Sequence, residues 1–173
     1  MDTDVVGAIW LAWVGEGLTM LRFGAVPPPD REARRWMPDA WPVPVAPIPS
    51  EVYGGLRRYF TGEPFDPATI PVRLGGMKFQ RAVWAALRRV PRGAVRTYAG
   101  LAADVGSPRA MRAIGTAMAK NPIAIVVPCH RVVGAGNALG GYSGGLDRKR
   151  ALLALEGVRF EGDHVLPGQL ELL

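Results

Sequence analysis

The sequence predicts an α/β protein of the α+β kind, with a small β-rich N-terminal part and a mostly helical C-terminal part. Three observations predict it. Near the N-terminus, two runs rich in aromatic and β-branched residues flank a Gly-Glu-Gly link. From Phe79 onward, apolar residues recur at three- to four-residue spacing, the period of a helix with one buried stripe. Between them, Pro64–Gly76 carries three prolines and two glycines, the composition of a boundary. A chain of 173 residues holds one ordinary domain or two small ones sharing an interface. The expected division is residues 1–75 and 76–173.

Ile9–Val14 and Leu18–Phe23 read as a hairpin joined by Gly15-Glu16-Gly17. From Pro27 to Pro49 there are eight prolines in 23 residues, too many for a regular helix or a central strand, so an extended surface connection is expected. Ser50 is expected to cap a short helix over roughly Glu51–Phe60, stopped by Gly62 and Pro64. Phe79, Val83, Trp84, Leu87 and Val90 make the stripe of the next helix, which Pro91 and Gly93 end. Thr97 can cap a helix from Tyr98 to Val105, with Gly106 as its C′ residue. Ser107-Pro108 reads as the start of a further helix, about Pro108 to Lys120, ended by Asn121-Pro122. The last two form a helix-turn-helix pattern. A buried apolar run, Ile123–Val127, leads to Pro128, and Gly134–Gly145 holds six glycines in twelve residues. Asp147 is expected to open a last helix, with Leu152 and Leu155 facing inward and Gly157 ending it.

Charge and composition narrow the function classes. With 21 basic and 15 acidic residues the formal charge is +6, which suits a polyanionic partner. Eighteen of the basic residues are Arg and three are Lys. Arg favours bidentate phosphate contacts, although enrichment in Arg, Ala, Gly and Pro also follows from a GC-rich genome. The single cysteine, Cys129, excludes an intramolecular disulfide and a zinc site of several thiolates. Two histidines are too few for a His-rich metal site, so no metal and no cofactor are expected. The early apolar stretch Ala8–Val14 is too short for a membrane span and has the wrong flanks for a signal peptide. A monomeric cytoplasmic protein is the expectation, associated with the nucleoid in a bacterium.

Cys129 is the first candidate for chemistry. A lone cysteine is ordinarily a small buried apolar residue. Here Pro128 is expected to turn the chain and expose the residues after it, and His130 with Arg131 to place positive charge beside the sulfur and favour the thiolate. His130 can serve as base, and an acid elsewhere would orient it. Spacing alone does not choose the acid, and a cysteine hydrolase and a thiol that accepts a group from its substrate both remain open. The helix carrying Arg109, Arg112, Ala113, Gly115 and Thr116 is the second candidate. Its small residues allow close approach of a partner, or equally a helix–helix contact. Arg148-Lys149-Arg150 reads as a solvated helix face.

Taken together, Asn121-Pro122, Pro128-Cys129-His130-Arg131-Val132, Gly141-Tyr142-Ser143-Gly144-Gly145-Leu146 and Leu152–Gly157 resemble the O6-alkylguanine-DNA alkyltransferase family. The resemblance is dense from about Phe79 to Gly157. In the N-terminal third it is one of layout, and Asp4-Val5-Val6-Gly7 stands where the family usually opens with a Ser-Pro-Ile-Gly-like strand start. The resemblance implies an RNase H-like N-terminal sheet domain and a helix-turn-helix domain that binds double-stranded DNA carrying alkylated bases. Cys129 would accept the alkyl group irreversibly, in a network of cysteine, histidine, water and glutamate. Within it His130 would take the thiol proton through a water, and Glu156 would orient His130. Tyr98 is similar to the tyrosine that protonates guanine N3 as the base departs.

The backbone of Cys129 and Val132 would accept from the guanine amine, Ser143 would donate to O6, Tyr142 would wall the pocket, and Asn121 would belong to the same substrate site. Arg112 resembles the arginine that fills the gap left by an extruded nucleotide, with Ala113, Gly115, Thr116 and Arg109 at the DNA. The family lays this helix in the minor groove, which small residues suit. Ala124 stands where relatives have a second proline, which implies a weaker grip on bulky aromatic adducts. The structural zinc that some members carry in the N-terminal domain has no thiolates here. The alternatives are a non-catalytic lesion-binding protein of the alkyltransferase-like kind, which replaces the cysteine, and a regulatory DNA-binding protein.

Overall fold

A computed structural model describes residue 1 and residues 3–24, 31, 34 and 47–168. The connection expected over Pro27–Pro49 therefore lies almost wholly outside the described residues. β1 (Ile9–Val14) and β2 (Gly17–Phe23) form an antiparallel hairpin with a bulge between Ala12 and Trp13. The turn is tighter than Gly15-Glu16-Gly17, because Gly17 already pairs with Val14.

The outer edge of β2 is stitched to two later segments of the chain, which keeps it from being an unpaired edge. Leu18 N donates to Pro71 O (2.9 Å), and Arg73 N to Leu18 O (3.0 Å). Leu21 N donates to Pro122 O (3.0 Å), and Ala124 N to Leu21 O (3.1 Å). The segment leading to Cys129 is thus tied to the hairpin. One buried cluster runs from Val6, Leu18 and Leu21 through Leu56, Tyr59, Trp84 and Ile114 to Ile123, Val127 and Leu152.

α1 spans Ser50–Phe60. Ser50 is its first helical residue rather than its cap. Pro49, held extended at φ −53° and ψ 139°, takes the cap position, and its carbonyl accepts from Val52 and Tyr53. α2 (Lys78–Leu87) buries Val83, Trp84 and Leu87 with Val90 just beyond, as the stripe predicts. It stops well before Pro91, because a residue preceding proline resists the helical conformation and the chain tightens into turns; Val90 N there donates to Leu87 O (3.0 Å). The Trp84 indole donates to Ala117 O (3.0 Å), fixing α2 against the helix-turn-helix.

α3 (Tyr98–Asp104) is capped by Thr97, whose hydroxyl accepts from Gly100 N (3.0 Å). Gly106, at φ +67°, closes it: its N–H goes to Ala103 O and that of Ser107 to Ala102 O, both at 2.9 Å. α4 spans Met111–Ala119, three residues shorter at its start than expected. Ser107 O accepts from Ala110 N (2.9 Å), and this turn takes up Pro108 and Arg109. Arg109 consequently lies in the turn and not on the helix.

α5 (Leu146–Leu155) begins one residue before Asp147. It buries Leu152 and Leu153, and Leu155 only in part. Two-residue strands complete the fold. β3 (Arg96–Thr97) runs parallel to β4 (Val132–Val133), setting the start of α3 beside the residues just after Cys129. β5 (Phe160–Glu161) pairs with β6 (His164–Val165) over a small core of Val95, Val133, Leu139, Leu153 and Val158.

Candidate active site

The thiol sits after two consecutive tight turns. Val126 N donates to Ala124 O (2.8 Å) around Ile125, and Cys129 N donates to Val127 O (2.8 Å) around Pro128. Ile125 has φ +71°, a left-handed conformation that costs a β-branched residue about 1–3 kcal/mol. Complete burial of Ile125 and the bonds to β2 hold it there. A single 3₁₀ turn then spans Cys129–Arg131.

Pro128 turns the chain but does not expose the sulfur, because this turn is packed into the core and Cys129 is 3% exposed. Asn121 reaches it: Nδ2 donates to Sγ (3.1 Å) and to Val127 O (2.7 Å), while Oδ1 accepts from Ile123 N (3.0 Å). The resemblance implies Asn121 at the substrate site; the same residue also holds the thiol and the strained turn together.

His130 and Arg131, expected to place charge beside the sulfur, are both engaged with Glu156. His130 Nε2 lies 3.0 Å from Glu156 Oε1. Arg131 donates from Nη2 to Oε1 (2.9 Å) and from Nε to Oε2 (3.0 Å), and also to Asp66 Oδ1 (3.0 Å) and Val90 O (2.7 Å). Glu156 occupies the C-cap of α5. Gly157, at φ +85°, bends the chain so that Val158 N closes on Leu153 O (2.9 Å), aiming the carboxylate inward. Burial pushes the Glu156 carboxyl up, but the His130 and Arg131 donors outweigh it and hold it well below the usual range. Burial pushes His130 down despite Glu156, so the ring is neutral at pH 7.

Lys149 corrects the reading of a solvated basic face. Arg148 is exposed, but the Lys149 side chain is completely buried. Its Nζ donates to Val132 O (2.6 Å), to Leu139 O and, at 3.5 Å, to Gly141 O. The glycine-rich segment turns the Leu139 and Gly141 carbonyls inward beside that of Val132 in β4, and one ammonium with three N–H groups satisfies all of them. Burial brings Lys149 down to about 8, with the Cys129 charge opposing. Burial raises the Cys129 thiol, and the Asn121 hydrogen bond and the Lys149 charge pull it partly back. The positive charge near the sulfur is therefore that of Lys149. No local signal marks it, since Arg148-Lys149-Arg150 reads alike at all three positions.

A cavity of about 210 Å³ opens over the thiol, lined by Tyr98, Gly115, Met118, Ala119, Cys129, Gly141, Tyr142 and Ser143. Tyr98, half-buried, has its hydroxyl raised by burial and then by Cys129, so it carries its proton at neutral pH. Tyr142 is raised well above 10, by burial first and Cys129 next. Ser143 is exposed at the rim. A smaller adjoining cavity of about 80 Å³ reaches Phe23 and Ala124. The Val132 carbonyl, expected to meet the guanine amine, already accepts from Lys149 and keeps one lone pair. Along α4, Arg112, Ala113 and Thr116 are exposed and Gly115 is half-buried, and of these four Gly115 lines the cavity. Among the described residues, no three His, Cys, Asp or Glu side chains gather to hold a metal, and no helix is long and apolar enough to cross a membrane.

Fold and site together define a helix-turn-helix protein with a buried, histidine-flanked thiol at the base of a cavity beneath its second helix. Comparison with known proteins gives this class a family. The 6-O-methylguanine DNA methyltransferase, ribonuclease-like domain matches residues 1–74, and the DNA binding domain of the same methyltransferase matches residues 78–158. A methylated-DNA–protein-cysteine methyltransferase of Mycolicibacterium paratuberculosis is 55% identical over 103 residues, covering 58% of this chain and 61% of the relative. That of Mycobacterium tuberculosis H37Rv is 43% identical over 164 residues, 93% of each chain. The crystal structure of Mycobacterium tuberculosis OGT in complex with DNA superposes with a TM-score of 0.71 at 41% identity, over 89% of each chain. The chain belongs to the 6-O-methylguanine DNA methyltransferase family.

Proposed function

We propose that this protein repairs DNA by direct reversal, moving the alkyl group of O6-alkylguanine in duplex DNA onto Cys129, once per molecule. The observation that carries the reading is the thiol at the floor of the cavity between α4 and the Gly141–Gly145 loop. A nucleotide extruded from the duplex would enter there, with Arg112 filling the vacated stack and Ala113, Gly115 and Thr116 allowing the helix close to the groove. Arg109, in the turn before α4, and the net charge of +6 serve phosphate contacts.

In the transfer, the sulfur attacks the alkyl carbon, the S–C bond forms and the C–O6 bond breaks. The thiol proton passes to His130, by way of a water as the family resemblance implies, and Glu156 holds the imidazole. Tyr98 donates its proton to the departing guanine, which leaves neutral, while Ser143 donates to O6 and Tyr142 walls the base. No cofactor and no metal enter the scheme. Residues 1–75 form the supporting domain and residues 76–173 the DNA-facing one. The protein acts as a monomer where the DNA is, in the cytoplasm.

The test is the intact mass of the protein after mixing with duplex containing O6-methylguanine. The expected gain is one methyl in place of the thiol proton, located on Cys129 and absent in Cys129→Ser. Repeated turnover of excess duplex, or a methyl on another residue, would overturn the reading. Lesion binding with no mass gain would favour the non-catalytic alternative, which the presence of Cys129 opposes.

A further inference from the structure

Tyr59 lies in the last turn of α1, completely buried, and its hydroxyl donates to Glu156 Oε1 at 2.7 Å across 97 positions of sequence. The same oxygen receives His130 Nε2 and Arg131 Nη2, at 3.0 and 2.9 Å. Since the carboxylate only accepts, Nε2 carries the ring proton and Nδ1 holds the lone pair. Nδ1 is buried and has no hydrogen-bond partner among the described residues. Every polar atom of the His130–Glu156 couple is therefore engaged except the one that can take a proton. The Arg92 guanidinium lies 5.6 Å from the Tyr59 ring and Phe60 packs edge-on, so a phenylalanine at 59 would keep this packing.

We propose that Tyr59 is a positioning residue for alkyl transfer, holding Glu156 so that the His130 ring presents Nδ1 as the base, and that the N-terminal half is thereby part of the reacting apparatus. The role rests on the transfer reading above. Three donors share the negative charge of Oε1. Without the Tyr59 hydroxyl, more of that charge falls on His130, the imidazolium gains stability, and Nδ1 holds a proton at higher pH. The groups that face His130 are Glu156 and Lys149 from α5, Arg131 and Cys129 from its own turn, and Tyr59 from α1 through Glu156. Asp66 acts through Arg131.

The experiment uses the full chain and Tyr59→Phe. With only two histidines, ¹⁵N-histidine spectra resolve His130 from His164. The expected result is an Nε2–H neutral ring in wild type and a His130 titration raised by about half to one pH unit in the variant. The acid limb of the methyl-transfer rate from methylated duplex should move up by the same amount, with the plateau rate changed less than about twofold. Thr61→Ala, which removes an exposed hydroxyl just beyond α1, should change neither. An unmoved His130 titration, or a rate lowered equally at every pH with the limb in place, would overturn the proposal. If wild type transfers no methyl, the function reading fails while the histidine spectra still decide the role of Tyr59.

Discussion

The side-chain amide of Asn121 donates to the sulfur of Cys129 at 3.1 Å while its oxygen accepts from Ile123 N at 3.0 Å, so one residue braces the nucleophile and the strained turn before it. The bond to Val127 O fixes which end of the amide faces the sulfur. Hydrogen bonds to an anion favour the charged form, and this donor opposes the rise that burial imposes on the thiol. Asn121→Ala is expected to raise the Cys129 pKa further and to slow methyl transfer about tenfold, the worth of one charge-assisted hydrogen bond. Thiolate absorbance against pH, taken as the difference from the matching Cys129→Ser protein so that the tyrosines cancel, reads the first effect, because there is a single cysteine. A thiol titrating as in wild type would reject the role.

Lys149 provides a second test of how the site is held. In Lys149→Met, the carbonyls of Val132, Leu139 and Gly141 lose their common donor, and the lost bonds outweigh the relief of an ammonium from burial. The expected loss of stability is about 2 kcal/mol, read from urea midpoints. The thiol pKa should rise as well, since the Lys149 charge pulls it down. A variant as stable as wild type, with an unchanged thiol, would show that the ammonium is incidental.

Much of this was legible in the chain because local chemistry decides it. The stripe of Val83, Trp84 and Leu87, the Thr97 cap, and the glycines at 106 and 157 each act through neighbours a few residues away. Cys129 and His130 stand out by residue type and neighbours, whereas Glu156 enters only through the family resemblance, as no spacing singles it out among the acids. Three features were not legible. Lys149 is buried by carbonyls from a separate segment, and nothing distinguishes it from Arg148 on the same helix. Tyr59 meets Glu156 from 97 positions away. Ile125 is a β-branched residue in a left-handed conformation, which residue preferences argue against. In each case tertiary packing overrides the local signal.

Glu156 also governs stability in acid. Its folded pKa is depressed below the unfolded value of 4.5, so its contribution is fully present above pH 4.5 and is lost as pH falls below it. Glu156→Gln removes the charge that Arg131 and His130 pair with, and is expected to cost about 3 kcal/mol at neutral pH. Because glutamine does not titrate, the gap to wild type should narrow on acidification. Urea unfolding at neutral pH and near pH 3 measures it. A gap that stays constant over that range would mean the carboxylate is not held as the geometry indicates.

Adduct size is the last consequence of the structure. Ala124 lines the smaller cavity of about 80 Å³ together with Asn121, Cys129, Tyr142, Ser143 and Phe23, beside the sulfur. That position suits the part of a bulky O6 substituent lying beyond the reacting carbon. A proline here would forfeit the Ala124 N–H bond to Leu21 O (3.1 Å) and loosen the tie to β2, at about 1 kcal/mol, so it is a poor probe of the wall itself. Ala124→Leu keeps that bond and fills the cavity. A benzyl group would then have to displace packed carbons, an overpacking cost of at least about 1.4 kcal/mol, or about tenfold in rate. Inactivation by free O6-benzylguanine should slow by that factor, whereas transfer from methylated duplex, whose methyl stops at the sulfur, should stay within about twofold. Equal slowing of both reactions would place the benzyl group elsewhere and assign the effect to general distortion of the thiol turn.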